Sequence, residues 1–270
     1  MSIQCQNCRT PNPLGARYCQ GCGRLLGATN VQGRTVVMPS SLPVQPMTAA
    51  QEKTVVQRVE QTYGRGATSL GPAVPTLGSP RQRELMIILN DQSGSMAENF
   101  GPGITKQEAA IRASINLVLN KARLDDLDEI GLVVFNDKAQ VLMEPQPIRS
   151  HKSEMIRVLQ SLSPGGGTDT NKGLVAAGNL CDLDRRDIIL RIALLSDGHG
   201  GHPIRTAEGL KSRGVVIDVI GIGETPDDVN EKLLKQVASV IQGELRYRFI
   251  KDHQTLVAHY TLLANKTKTI

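Results

Sequence analysis

The chain has 270 residues, a formal charge of +5, 40% hydrophobic residues, only 3% aromatic ones and no Trp. That length allows a medium-sized core plus an appendage. No apolar run approaches the roughly 18 residues of a membrane span, residues 1–9 are too polar for a signal peptide, and so few aromatics argue against stacking on single-stranded nucleic acid. The charge is lopsided: residues 1–83 hold nine Lys and Arg against two Asp and Glu, a surplus of +7 that leaves the remainder at −2. The expectation is a soluble, cytoplasmic protein with a basic front third.

Four of the five cysteines, Cys5, Cys8, Cys19 and Cys22, fall in a C-x2-C-x10-C-x2-C pattern. Two close pairs of thiolates supply the tetrahedral sulfur cage of a structural Zn²⁺ site, closed to catalysis. A pair of disulfides is the alternative, and it requires a secreted protein. Residues 1–26 resemble the short zinc ribbons found at the N-termini of bacterial and archaeal proteins. A module of about 25 residues buries too little core to fold alone, so metal binding supplies its folding free energy. Arg9, Arg17 and Arg24 offer a contact to nucleic acid, but sparse charge without interleaved aromatics favours docking to a protein. Cys181 lies in an apolar helical run and reads as a buried structural thiol.

Residues 27–82 lose hydrophobic periodicity and gain Pro, Gly, Ser, Thr and Gln, which predicts a disordered linker. As a flexible coil it spans about 40 Å. Within it Arg34-Thr35-Val36-Val37 is echoed by Lys53-Thr54-Val55-Val56. Thr35 and Thr54 are candidate phosphorylation sites for an Arg-lined phosphothreonine-binding module. Alternatively, the Val-rich pieces add as strands to a partner's sheet edge.

From residue 83 apolar strands alternate with helical patterns, which predicts a mostly parallel sheet covered on both faces. In order, strands are expected at 84–91, 130–135 and 139–143, the last two joined by a hairpin turn at Asn136-Asp137-Lys138. Further strands are expected at 188–196, 215–223 and 244–250. Helices are expected at 106–122, 152–162, 171–180 and 254–265. Another is expected to start at Thr225-Pro226-Asp227-Asp228, with a hydroxyl cap, Pro at the first position and acids in the first turn.

The chemistry collects where strands end. The run Ile87-Ile88-Leu89 stops at Asp91-Gln92-Ser93-Gly94-Ser95, and an extended turn lets Asp91, Ser93 and Ser95 converge while Gln92 and Gly94 point elsewhere. One carboxylate with two short hydroxyls suits Mg²⁺, a hard cation that prefers oxygen ligands. An ordinary turn leading into a helix is the alternative for this stretch alone. A second stretch, Gly165-Gly166-Gly167-Thr168, lacks the G-K-[ST] of a phosphate loop, and its backbone freedom instead places the Thr168 hydroxyl. A third stretch, Asp197-Gly198, is delivered by the C-terminal end of the strand expected at 188–196, where open α/β sheets bind ligands.

Taken together, Asp91-x-Ser93-x-Ser95, Gly166-Gly167-Thr168 and Leu195-Ser196-Asp197-Gly198 resemble a von Willebrand factor type A domain with a complete metal-ion-dependent adhesion site. The resemblance covers residues 83–265 and implies an α/β, Rossmann-like, doubly wound sheet. It also implies that Ser93, Ser95 and Thr168 offer hydroxyl oxygens to Mg²⁺, Ca²⁺ or Mn²⁺, while Asp91 and Asp197 bind directly or through water. A cation held mainly by neutral oxygens stays under-neutralised and attracts an Asp or Glu of a protein partner. His199 and His202 have the spacing of soft-metal ligands, but on a Gly-rich loop they read as rim residues.

The expected function is a non-catalytic adaptor whose tethered ribbon and cation site act in concert. The arrangement is similar to the bacterial TerY-like class, which implies a setting of stress signalling with a Ser/Thr kinase, phosphatase or phosphothreonine-binding partner. A metal-assisted phosphohydrolase is the enzymatic alternative; no nucleophile, second metal or placed base accompanies the site. A nucleic-acid-binding regulator acting through the ribbon is the third reading.

Overall fold

The computed structural model describes residues 2–4, 9, 11–13, 83–185 and 187–265. Near the start, β1 (Ser2–Gln4) and β2 (Pro11–Pro13) pair antiparallel. The expected zinc ligands Cys5, Cys8, Cys19 and Cys22, and Thr35 and Thr54, lie outside the described residues.

The main body begins with β3 (Arg83–Asp91), buried from Glu84 to Asp91. Its side chains alternate: Met86 and Ile88 enter one core layer, Leu85, Ile87 and Leu89 the other. A strand apolar on both sides must be central, and burial of each such side chain contributes about 1.5–3 kcal/mol. The chain then turns through a short 3-10 segment (Gly94–Ala97) into α1 (Lys106–Leu124). Thr105 accepts from the Glu108 amide at 3.1 Å while the Glu108 carboxylate accepts from the Thr105 amide at 3.3 Å, a reciprocal cap that fixes where α1 starts.

Next come β4 (Glu129–Phe135), β5 (Ala139–Pro147), α2 (Ile148–Gln160), α3 (Thr170–Leu180) and β6 (Ile188–Ser196). The chain continues through α4 (Ile204–Lys211), β7 (Val216–Ile222), α5 (Glu231–Val237), the small hairpin β8 (Val240–Ile241) with β9 (Glu244–Leu245), then β10 (Tyr247–Ile250) and α6 (His253–Asn265). The six-stranded sheet has the order β10-β7-β6-β3-β4-β5, and only β5 runs antiparallel. Helices α1, α2 and α6 cover one face; α3, α4 and α5 cover the other. From β3 the chain first winds outward through β4 and β5, then returns to β6 on the other flank, so the winding reverses between β3 and β6. A crevice forms beyond the strand ends at such a point.

Two expectations need correction. The helix expected to start at Thr225 starts at Glu231, with the Asn230 side chain accepting from the Leu233 amide at 3.2 Å. Thr225 and Asp228 do form a reciprocal cap, but it closes only a 3-10 turn (Pro226–Asp228), because Val229 then turns extended and buries its side chain. The strand expected at 244–250 is split: Glu244–Leu245 pairs back on Val240–Ile241, and only Tyr247–Ile250 joins the main sheet. Helix α4, with Ala207 and Leu210 buried, had no counterpart in the sequence reading.

At the N-terminal ends of the strands lies a buried row of charges. Asp128 pairs with Lys121 at 2.8 Å, Lys121 with Glu84, Glu84 with Arg191 at 2.8 Å, Arg191 with Asp218 at 2.5 Å, and Asp218 with Arg246 at 3.1 Å. The three acids and three bases alternate, so each buried charge meets its opposite, without which burial would be strongly unfavourable. Burial pushes the Asp128 carboxyl above its ordinary range, against the attraction of Lys121.

Candidate metal centre

The candidate site sits beyond the C-terminal ends of β3 and β6, on either side of the winding reversal. Asp91 closes β3. Its Oδ1 accepts from the Ser93 amide at 2.8 Å and its Oδ2 from the Ser196 hydroxyl at 2.6 Å. The Ser93 and Ser95 hydroxyls lie 3.1 Å apart, and Ser95 Oγ donates to Asp197 Oδ2 at 2.5 Å. Asp197 Oδ1 accepts from the His199 amide at 3.2 Å. Four of the five expected ligands, Asp91, Ser93, Ser95 and Asp197, are thus linked through hydrogen bonds.

The fifth, Thr168, arrives on a loop fastened to the other two. Gly165 donates its amide to the Gln92 carbonyl at 2.7 Å, and Gly94 donates to the Gly166 carbonyl at 3.0 Å, so the hydroxyl loops of Ser93–Ser95 and Thr168 are stitched side by side. Asn136 holds the same loop from the β4–β5 turn: its side-chain amide donates to the Gly165 carbonyl at 2.9 Å and its own carbonyl accepts from the Asp169 amide at 2.7 Å. On the far side Gly200, at φ +115°, lies flat on Thr168; a Cβ there would overlap the Thr168 carbonyl oxygen and stand 3.0 Å from the Thr168 Cβ. Glycine is required by both the dihedral and the approach. As supports of the site, Ser196, Asn136 and Gly200 escaped the sequence reading: Ser196 and Gly200 adjoin Asp197 and Gly198, whereas Asn136, 29 residues from Gly165, read only as a turn residue.

The electrostatics suit a cation. Asp91 and Asp197 are both buried, and among the described residues neither forms an ion pair with Lys or Arg. Burial pushes the Asp91 carboxyl up to about 6, against the hydrogen bonds from Ser196 and Ser93, and Asp197 pushes in the same upward direction. Two acids and three hydroxyls without a positive partner form a hard-oxygen donor set that fits Mg²⁺, Ca²⁺ or Mn²⁺. No group of three His, Cys, Asp or Glu gathers among the described residues, so the candidate set depends on its hydroxyls. His199 Nε2 lies 3.0 Å from the Asp228 carbonyl and His202 is exposed, which leaves both at the rim.

A doubly wound α/β body whose carboxylates and hydroxyls meet on three loops at the strand ends has the architecture of the von Willebrand factor type A class. Residues 86–199 match the family model of the von Willebrand factor type A domain, and the main body of this chain has the fold of such a domain. An uncharacterized protein of Synechocystis sp. is 23% identical over 167 residues, which are 60% of this chain and 37% of that protein's length. Among solved structures, conserved hypothetical protein BatB from Bacteroides thetaiotaomicron is 19% identical with a TM-score of 0.54, covering 68% of this chain and 99% of that one. A von Willebrand factor type A protein from Catenulispora acidiphila is 21% identical with a TM-score of 0.51, covering 69% and 43%. Among the described residues no helix is long and apolar enough to cross a membrane.

Proposed function

We propose that residues 83–265 form a non-catalytic, cation-dependent docking module for a protein partner. Asp91, Ser93, Ser95, Thr168 and Asp197 hold the cation, Mg²⁺ or in its place Ca²⁺ or Mn²⁺. The bound cation supplies an under-neutralised positive charge for an Asp or Glu of the partner. The observation that carries the reading is the pair of buried acids, Asp91 and Asp197, without a Lys or Arg partner among the described residues, beside two loops bearing three hydroxyls at the winding reversal. Ser93 and Ser95 present their hydroxyls from a loop pinned by the Asp91 carboxylate, and the stitched Gly94–Gly166 contact keeps Thr168 in reach.

The front of the chain completes the proposal. Cys5, Cys8, Cys19 and Cys22 bind one Zn²⁺ and fold a ribbon that meets a second surface, so two modest contacts act together through the linker. Phosphorylation of Thr35 or Thr54 creates a docking mark for a phosphothreonine-binding protein, in a bacterial cytoplasmic setting of Ser/Thr kinases and phosphatases and of stress signalling.

The test compares the full chain with its Ser93→Ala/Thr168→Ala variant, both purified without chelator. Mg²⁺ titration calorimetry is expected to give binding for the wild type and none for the folded variant. Capture from native lysate in Mg²⁺ is expected to retain partners on the wild type that the variant loses. Equal Mg²⁺ binding by both proteins refutes the site, and identical partners on both refute the docking role.

A further inference from the structure

We infer that Ser196 is a positioning residue of the cation site, a single buried hydroxyl that sets the first acid and the turn of the second acid in one fixed relation. The inference rests on the proposed cation site and deepens it. Ser196 is the last residue of β6, paired with Gly221 of β7, and is fully buried. Its Oγ donates to Asp91 Oδ2 at 2.6 Å and accepts from the Gly198 amide at 2.9 Å.

The two bonds reach different strands' loops. Asp91 belongs to β3, and Gly198, at φ +78°, forms the turn that carries Asp197. With the Ser93 amide on Oδ1, the Ser196 hydroxyl occupies the second oxygen of Asp91, so each carboxylate oxygen has one fixed donor and keeps a lone pair for a cation or its water. The carboxylate cannot rotate without breaking a charge-assisted bond. Alanine at 196 removes a buried donor and a buried acceptor together, freeing the Asp91 carboxylate and leaving the Gly198 amide without this partner. Threonine keeps both functions. The outer partners of ligating groups typically change metal affinity by about ten- to a hundredfold, which sets the expected effect.

The experiment measures Mg²⁺ affinity by calorimetry on the full chain as wild type, Ser196→Ala and Ser196→Thr, with thermal melting in parallel. Support consists of a loss of about ten- to a hundredfold in Ser196→Ala with recovery to within about threefold in Ser196→Thr. A second arm places Ser196→Ala on Asp91→Asn, where it is expected to cause little further loss, because residues acting through one another are non-additive. Where Ser196→Ala does not fold, Ser196→Cys, similar in volume but a weak donor, takes its place with the same expected loss. Wild-type binding with unchanged affinity in the folded variant overturns the inference even if the melting point falls, since that pattern marks a purely structural hydroxyl. Equal losses in the Ala and Thr variants, or full additivity with Asp91→Asn, also overturn it. Absence of Mg²⁺ binding by the wild type refutes the cation site itself, a result separate from the failure of Ser196 alone.

Discussion

Replacing Gly200 by Ala tests whether the Thr168 loop is held as tightly as the geometry indicates. At φ +115° an L-residue is strained, at a cost of about 1–3 kcal/mol. The added methyl group must also displace the Thr168 carbonyl and Cβ, and overpacking of this kind costs about 1–3 kcal/mol more. Partial relaxation of an exposed loop brings the expected loss to about 3 kcal/mol, or roughly 6–12 °C in melting temperature for a domain of this size. Gly209→Ala is the internal control. It lies in α4 with open space around its Cβ position and no positive φ, so the substitution should stabilise by up to about 1 kcal/mol, roughly 2–4 °C. Melting of both variants by circular dichroism, with Mg²⁺ calorimetry alongside, gives the answer. A Gly200→Ala protein that melts within about 1 °C of the wild type and binds Mg²⁺ equally refutes the idea that this glycine sets the Thr168 loop.

Arg191→Met leaves Glu84 and Asp218 buried and each short of a partner, and urea denaturation should show a loss of about 3–5 kcal/mol. His253 sits below its ordinary value, mainly through burial and next through Arg112, with Asp252 opposing; its Nε2 is buried without a hydrogen-bond partner among the described residues. The depressed group binds its proton more readily when unfolded, so its contribution is full above pH 6.5 and is lost as pH falls toward the lower folded value; His253→Gln should flatten the stability profile in that window, as followed by denaturant midpoints. Burial pushes the Cys181 thiol up to about 12, opposed by Arg213. Iodoacetamide should therefore leave the Cys181 peptide unmodified in the native protein and label it after denaturation, as read by mass spectrometry.

The parts of this fold that were legible in the sequence are those governed by local rules. Residues 188–196 are apolar enough to announce a central strand, and their bounds match β6. Arg191 within them is explained only by Glu84 and Asp218, which lie 107 and 27 residues away in the chain. Two capping signals compete at Thr225 and Asn230, and which one starts a full helix is decided by the burial of Val229 between them, a tertiary effect. The candidate ligands were readable because each sits at a strand end or in a glycine run. Their supports were not: Asn136 reads as a hairpin-turn residue and Ser196 as the end of a strand, and only the fold places one on the Thr168 loop and the other on Asp91.

Strand β3 also sets a polarity for the whole chain. It runs from Arg83, where the preceding residues join the body, to Asp91 at the candidate site, nine residues of central strand. At about 3.3 Å per residue those two points stand roughly 26 Å apart through the middle of the sheet. The attachment point of the N-terminal third and the loops proposed to grip a partner therefore occupy opposite poles. A partner held at those loops would therefore sit across the sheet from residue 83, separated from it by the height of the body.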